Sequence, residues 1–163
     1  MSSGSGYDLS PTTFSPEGRI FQIEYASKAV DNSGTAIGIR CVDGVVLGVE
    51  KILLSKLLKP GSNQQLHTVG PHAGVAFSGW APDARQLIDR ARSESDNYEE
   101  TYGSAIPPAI LAERMSQYVH YFTLHGAVRP FGAAAIVAAY DPELQEHSLH
   151  MIEPSGVQYR YFG

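Results

Sequence analysis

A single cysteine, Cys41, stands in 163 residues, so no internal disulfide is possible and packing must hold the chain together. Its bland reading is a small buried strand residue. No uninterrupted apolar stretch approaches the ~20 residues that span a bilayer, and Met1 to Gly6 has neither the charged nor the apolar segment of a secretory leader. Charge is sparse too, at 18% of residues, with a formal net charge of -5 and a pI near 5.6. Lys28, Lys51, Lys56 and Lys59 form no dense basic run. Neither nucleic acid nor a membrane is therefore expected as a partner. These absences point to a soluble intracellular chain, and 43% hydrophobic residues are ordinary for one globular domain with a real core rather than for disorder.

What is present is concentrated first in Tyr7 to Val30. Ser15-Pro16-Glu17-Gly18 has turn chemistry, because proline presets φ and glycine tolerates the exit. A helix is predicted to start near Arg19. At about 100° per residue, Ile20, Ile23, Ala26, Ala29 and Val30 fall on one side, Phe21 and Tyr25 form a second strip, and Glu24, Lys28 and Asp31 make a narrow polar wedge. A run of roughly a dozen residues is marginal alone. Burial of Ile20, Phe21, Ile23 and Val30, at ~1.5 to 3 kcal/mol each, must decide its fate.

Asp31-Asn32-Ser33-Gly34 reads as a helix stop, and Thr35 to Cys41 with Val45 to Glu50 form a hairpin around Val42-Asp43-Gly44. Gly38 and Gly48 suggest close backbone approach, and apolar residues on both faces suggest strands covered on two sides. Further strands are predicted over Leu66 to Val69 and Ala73 to Ser78. A helix follows from Pro82 to about Asn97, and a second from Pro107-Pro108 to about Leu124. Strands around Ala133 to Tyr140, Ser148 to Glu153 and Val157 to Phe162 complete the series. Strands, two helices, then strands predict a double sheet with one helical layer outside it.

Several pieces of this chain resemble the proteasome alpha-type subunit family. They are Tyr7-Asp8, Phe14 to Arg19, Gln22 to Ala26, Thr35 to Ile39, Gly44 to Glu50, Ser78-Gly79 with Asp83-Ala84-Arg85, Arg129 to Gly132 and Pro154 to Gly156, all in the family's order. Gly6 to Ser10 and Gly61 to Asn63 are most similar to one type within it. The resemblance implies an α+β fold, a four-layer αββα sandwich of the N-terminal nucleophile hydrolase type. It also implies a gate tail and assembly helix over 1–34 and a sandwich domain over 35–163. The expectation is that this sandwich is C-terminally incomplete, lacking its second helical layer.

The implied function is that of a non-catalytic alpha-ring subunit of the 20S proteasome, in cytoplasm and nucleus. Its implied partners are other alpha subunits, beta-ring subunits and regulatory activator particles. The gate cluster carries over onto Tyr7, Asp8, Pro16 and Tyr25, with hydroxyl and carboxylate bonding across subunits. Leu9 stands where the family usually has arginine. Ile20, Phe21, Ile23, Ala26 and Val30 carry over as the ring-contact helix. Gln65 and Gly79 carry over as the activator pocket, with glutamine where many family members have lysine, which predicts weak or absent docking there.

Two alternatives stay open. Thr35 follows Gly34, a junction where related beta-type subunits cut themselves, which would make an N-terminal threonine hydrolase. Against it, the cut would discard the signature helix, and no lysine follows Lys59; Glu50 alone does not make the site. A free-standing adaptor with the same fold is the other. No cofactor and no metal site is expected: His147 and His150 are spaced to point to opposite strand faces, and His120 and His125 lie about 140° apart around a helix. Gly4-Ser5-Gly6 reads as a flexible tail rather than a phosphate loop. Arg85, Arg90 and Arg92 alternating with Asp83, Asp89 and Glu94 read as a solvated helix face.

Overall fold

The computed structural model describes residues 6–163; most of the predicted flexible tail, Met1–Ser5, lies outside the described residues. The first helix, α1, spans Phe21–Asp31. A hairpin of β1 (Ala36–Arg40) and β2 (Val45–Val49) follows. Then come β3 (Leu66–Gly70), β4 (Ala73–Gly79), α2 (Ala81–Tyr102), α3 (Pro108–Tyr121), β5 (Ala133–Asp141), β6 (Glu146–Ile152) and β7 (Gln158–Arg160). Strands β3 to β7 form one antiparallel five-stranded sheet in sequence order, while β1 and β2 form a separate two-stranded sheet.

Period-two alternation divides the large sheet between its two neighbours. Val75 and Phe77 of β4 and Ala133, Ala135, Val137 and Ala139 of β5 face the helices. There they meet Leu87, Ile88 and Ala91 of α2 with Leu111, Met115 and Val119 of α3. The opposite phase turns to the hairpin, where a Cβ at Gly38 would lie 2.8 Å from Leu149 and 3.0 Å from Ile136. The close approach expected at Gly38 is therefore real. At Gly48 it is not, because nothing lies within 4 Å of a Cβ there.

This is the expected α+β arrangement of helix layer, sheet and sheet. The strands of the hairpin are covered on one side rather than two: Ile37, Ile39 and Val46 are at least half exposed on the outer face. Cys41 is also exposed, contrary to its bland reading. It lies one residue past β1, in the turn closed by Cys41 N–H donating to the Gly44 carbonyl at 2.7 Å, beyond the sheet that would have covered it.

Element ends moved for local reasons. Helix α2 runs on to Tyr102 and stops at Gly103, whose φ of 71° supplies a left-handed cap with its N–H on the Glu99 carbonyl. The last predicted strand shortens to Gln158–Arg160; Tyr161 N–H keeps one further bond to the Leu149 carbonyl of β6 at 2.8 Å before the chain turns to the hairpin. The Phe162 carbonyl accepts from Arg40 N–H of β1 at 2.7 Å.

Candidate functional site

The turn at Ser15 is closed twice over. Gly18 N–H donates to the Ser15 carbonyl at 2.9 Å, with Gly18 at φ +78°, and Ser15 N–H donates to the Arg19 carbonyl at 2.8 Å. Ser15 Oγ also accepts from Arg19 N–H at 3.1 Å. Arg19 is thereby held in the turn, Ile20 stays extended at φ -112°, and α1 begins at Phe21 rather than near Arg19. Arg19 reaches forward in a bidentate pair with Glu24, at 2.7 and 2.5 Å. This pairing holds the Glu24 carboxyl below and the Arg19 guanidinium above their ordinary values.

Ahead of the turn, the tail folds back onto α1. Tyr25 Oη donates to Asp8 Oδ2 at 3.1 Å, and the Gln22 amide donates to the Asp8 carbonyl. Desolvation first, and then the bond to Asp8, raises the Tyr25 phenol above its ordinary value. Within this one chain, then, a tyrosine hydroxyl and the Asp8 carboxylate are already bonded to each other. Tyr7 and Pro16 are exposed, and Leu9 is 87% exposed. On α1, Phe21 and Ala26 are buried against the body, whereas Ile23 and Val30, and Ile20 just ahead of the helix, are half-buried.

Gln65 and Gly79 come to the same end of the β3–β4 pair. The Gln65 carbonyl accepts from Phe77 N–H at 3.1 Å, and Gly79 lies two residues farther along β4. Gly79 has φ +113°, and a Cβ there would collide with the Gly132 carbonyl oxygen. Trp80 N–H donates to that same oxygen at 2.8 Å.

Beside Gly79 lies Asp83, which the sequence placed on a solvated helix face. Asp83 is buried, pairs with Arg129 at 2.6 and 2.9 Å, and accepts Gly132 N–H at 2.8 Å. Glu94 is buried as well, between Arg90 and Arg114, with the latter at 3.0 Å. The alternating charges of α2 are therefore not one solvated face: two of its acids turn inward to basic residues. The only sequence sign was that Asp83-Ala84-Arg85 and Arg129-Pro130-Phe131-Gly132 both matched the family; no local pattern shows that they meet.

Arg129 holds the Asp83 carboxyl below its ordinary value against the opposing effect of burial. A depressed folded value contributes stability that is present above the unfolded value, about 3.9, and is lost as pH falls through the folded one. The urea midpoint is therefore expected to fall with pH below about 4. The slope should be shallower in Asp83→Asn, and equal slopes in the two proteins would refute the assignment.

Thr35 is tied down rather than presented. Its peptide N–H and its Oγ both donate to Glu50 Oε2 at 3.1 Å, and Glu50 N–H donates to the Thr35 carbonyl at 2.7 Å. His150 is buried with Nδ1 near Gln158 Oε1, whereas His120 and His125 are exposed. Among the described residues no three His, Cys, Asp or Glu side chains are grouped to hold a metal, and no helix is long and apolar enough to cross a membrane.

A family model described as proteasome subunit matches residues 30–162, and a model of the N-terminal signature of proteasome A-type subunits matches residues 7–29. The chain is 58% identical over 160 residues to proteasome subunit alpha type-3 of Spinacia oleracea, and 57% to that of Arabidopsis thaliana. Each match covers 98% of this chain and 64% of the relative. Alpha type-3 of Drosophila melanogaster is 49% identical over 159 residues, covering 98% of this chain and 62% of its own length. The chain thus spans somewhat less than two thirds of the relatives it matches. Alpha type-3 is the type to which Gly6 to Ser10 and Gly61 to Asn63 were most similar.

Proposed function

From the premise that the chain belongs to the proteasome subunit family and bears the N-terminal signature of its A-type members, we propose that it is a non-catalytic alpha-ring subunit of the 20S particle. Residues 1–34 serve as gate tail and assembly helix, and 35–163 as the sandwich body. The observation that carries this reading is the tail anchor: the signature segment is folded back so that Asp8 is held by Tyr25 and Gln22 of α1. Tyr7, Asp8, Pro16 and Tyr25 set where the tail leaves the ring. Leu9 meets it with an apolar side chain in place of a guanidinium. The half-buried Ile20, Ile23 and Val30, with Phe21 and Ala26 packed beneath, give α1 surface left over for a neighbouring subunit.

Its partners on this reading are other alpha subunits, the beta ring and activator particles, the last docking where Gln65 and Gly79 come together, in cytoplasm and nucleus. The threonine-hydrolase alternative needs a free Thr35 amine, and this nitrogen is an amide bonded to Glu50. Self-cleavage would remove the first 34 residues, which an intact mass would register. The decisive experiment is co-expression with partner alpha and beta subunits, followed by native mass spectrometry. Uncleaved chain in a large ring is the expected result. Chain that stays monomeric supports the adaptor reading instead.

A further inference from the structure

The buried Asp83 carboxylate and the tail anchor are joined by one short run of contacts. Asp83 binds the Arg129 guanidinium through both oxygens and Gly132 N–H through one of them. These bonds close the turn 129–132 at both ends, since Arg129 Nη1 also donates to the Pro130 carbonyl at 3.1 Å. Gly132 is the junction. A Cβ there would stand 3.5 Å from Ala29 Cβ, 3.6 Å from Asp83 Oδ2 and 3.7 Å from the Trp80 indole. Ala29 belongs to α1, so the turn is part of the surface on which the helix rests, beside β4 and β5.

The far side of that seat is a cavity of about 160 Å³, walled by Gln22, Tyr25, Ala26 and Ala29 of α1 on one side and by Trp80, Arg129, Pro130 and Gly132 on the other. Gln22 and Tyr25 are the two side chains that hold Asp8. Arg129 lies 5.6 Å from the Trp80 ring centroid, which keeps the guanidinium against this wall. This pocket is open to solvent, so on this side α1 is braced at Gly132 and the turn rather than by a filled interface, and Asp83 pins that turn.

We propose that Asp83 is the positioning residue of the tail anchor: by clamping Arg129 and Gly132 it fixes the seat of α1 and keeps Tyr25 and Gln22 within reach of Asp8. The hydrogen bonds of Asp83 go to Arg129 and Gly132 and not to the tail or α1, so it acts through the turn. Its consequence for pore closure rests on the ring-subunit reading proposed above. The clamp itself does not.

Hydrogen exchange of the full chain, alone or in an assembled ring, tests the clamp. Asp83→Asn keeps the size of the side chain and an acceptor for Gly132 N–H, but loses the charge that holds Arg129. Exchange in peptides from α1 is expected to rise roughly tenfold, while peptides from α3 stay within about twofold, because the clamp is local. Asp89→Asn, an exposed acid on the same helix, should change neither. Tyr25→Phe should speed exchange in α1 in the native background and add little once Asp83 is replaced, as coupled sites do. Uniform acceleration across the chain, or strictly additive effects of the two substitutions, would overturn the proposal. In assembled particles Asp83→Asn should also raise basal hydrolysis of small peptides. Local loosening of α1 without that rise supports the clamp and overturns the gate reading.

Discussion

The Gly79→Ala variant is expected to lose about 2 to 4 kcal/mol of stability. Two penalties add. The backbone sits at φ +113°, where a side chain is strained, and the new methyl would run into the Gly132 carbonyl oxygen and meet Ala133 Cα at 2.7 Å. Both of those atoms are backbone, at the end of the β4–β5 ladder and held by Trp80 N–H, so neither gives way cheaply. Gly48→Ala is the internal control, since nothing lies within 4 Å of a Cβ there and its φ is unremarkable. Urea denaturation of the two variants beside the parent checks the contrast. Equal midpoints for Gly79→Ala and Gly48→Ala would mean that the β4–β5 register relaxes far more readily than its hydrogen bonds imply.

The second large effect is a gain. Gln65→Lys is expected to tighten docking of an activator carboxyl terminus by about tenfold. A hydrogen bond to a charged group is worth about 1.5 to 3 kcal/mol against 0.5 to 1.5 for a neutral one, and about 1.4 kcal/mol is tenfold in affinity. Gln65 is half-buried at the head of β3, so a lysine there would be only partly screened. Binding of a peptide ending in a free carboxylate should improve in rings carrying the variant, and the same peptide amidated at its end should show no improvement. If the free acid gains nothing, Gln65 does not line a carboxylate site. That result would remove the pocket from the proposed function while leaving the ring assignment intact.

The two substitutions differ in how far they were legible beforehand. The elements themselves were readable, because each rests on a local pattern. The hairpin around Val42-Asp43-Gly44 formed as expected, and the apolar phase of Leu87, Ile88 and Ala91 did turn inward. Ends were less readable. The start of α1 slipped to Phe21 because Ser15 captured the backbone of Arg19, and α2 ran on until Gly103 could cap it. Both are decided by hydrogen bonds that composition does not announce. Cys41 and Gly48 were misjudged for a related reason: strand patterning says which way a side chain points, not whether another layer reaches far enough to cover it.

Asp83 shows the limit most clearly. On a helical wheel it is one acid among Arg85, Asp89, Arg90, Arg92 and Glu94, and i,i+4 pairing in water is the ordinary reading. Its true partner, Arg129, is 46 residues away along the chain. Sequence by itself determined the turn before α1, the hairpin, the order of strands and helices and the family signature, because those follow from short-range sterics, periodicity and motif. Tertiary structure alone decided that Asp83 and Glu94 are buried, that Tyr25 closes onto Asp8 within one chain, and that Gly79, Gly132 and Ala29 stack into a single seat. These contacts join distant segments, and only the packing of sheet, helices and tail brings such segments within hydrogen-bonding distance.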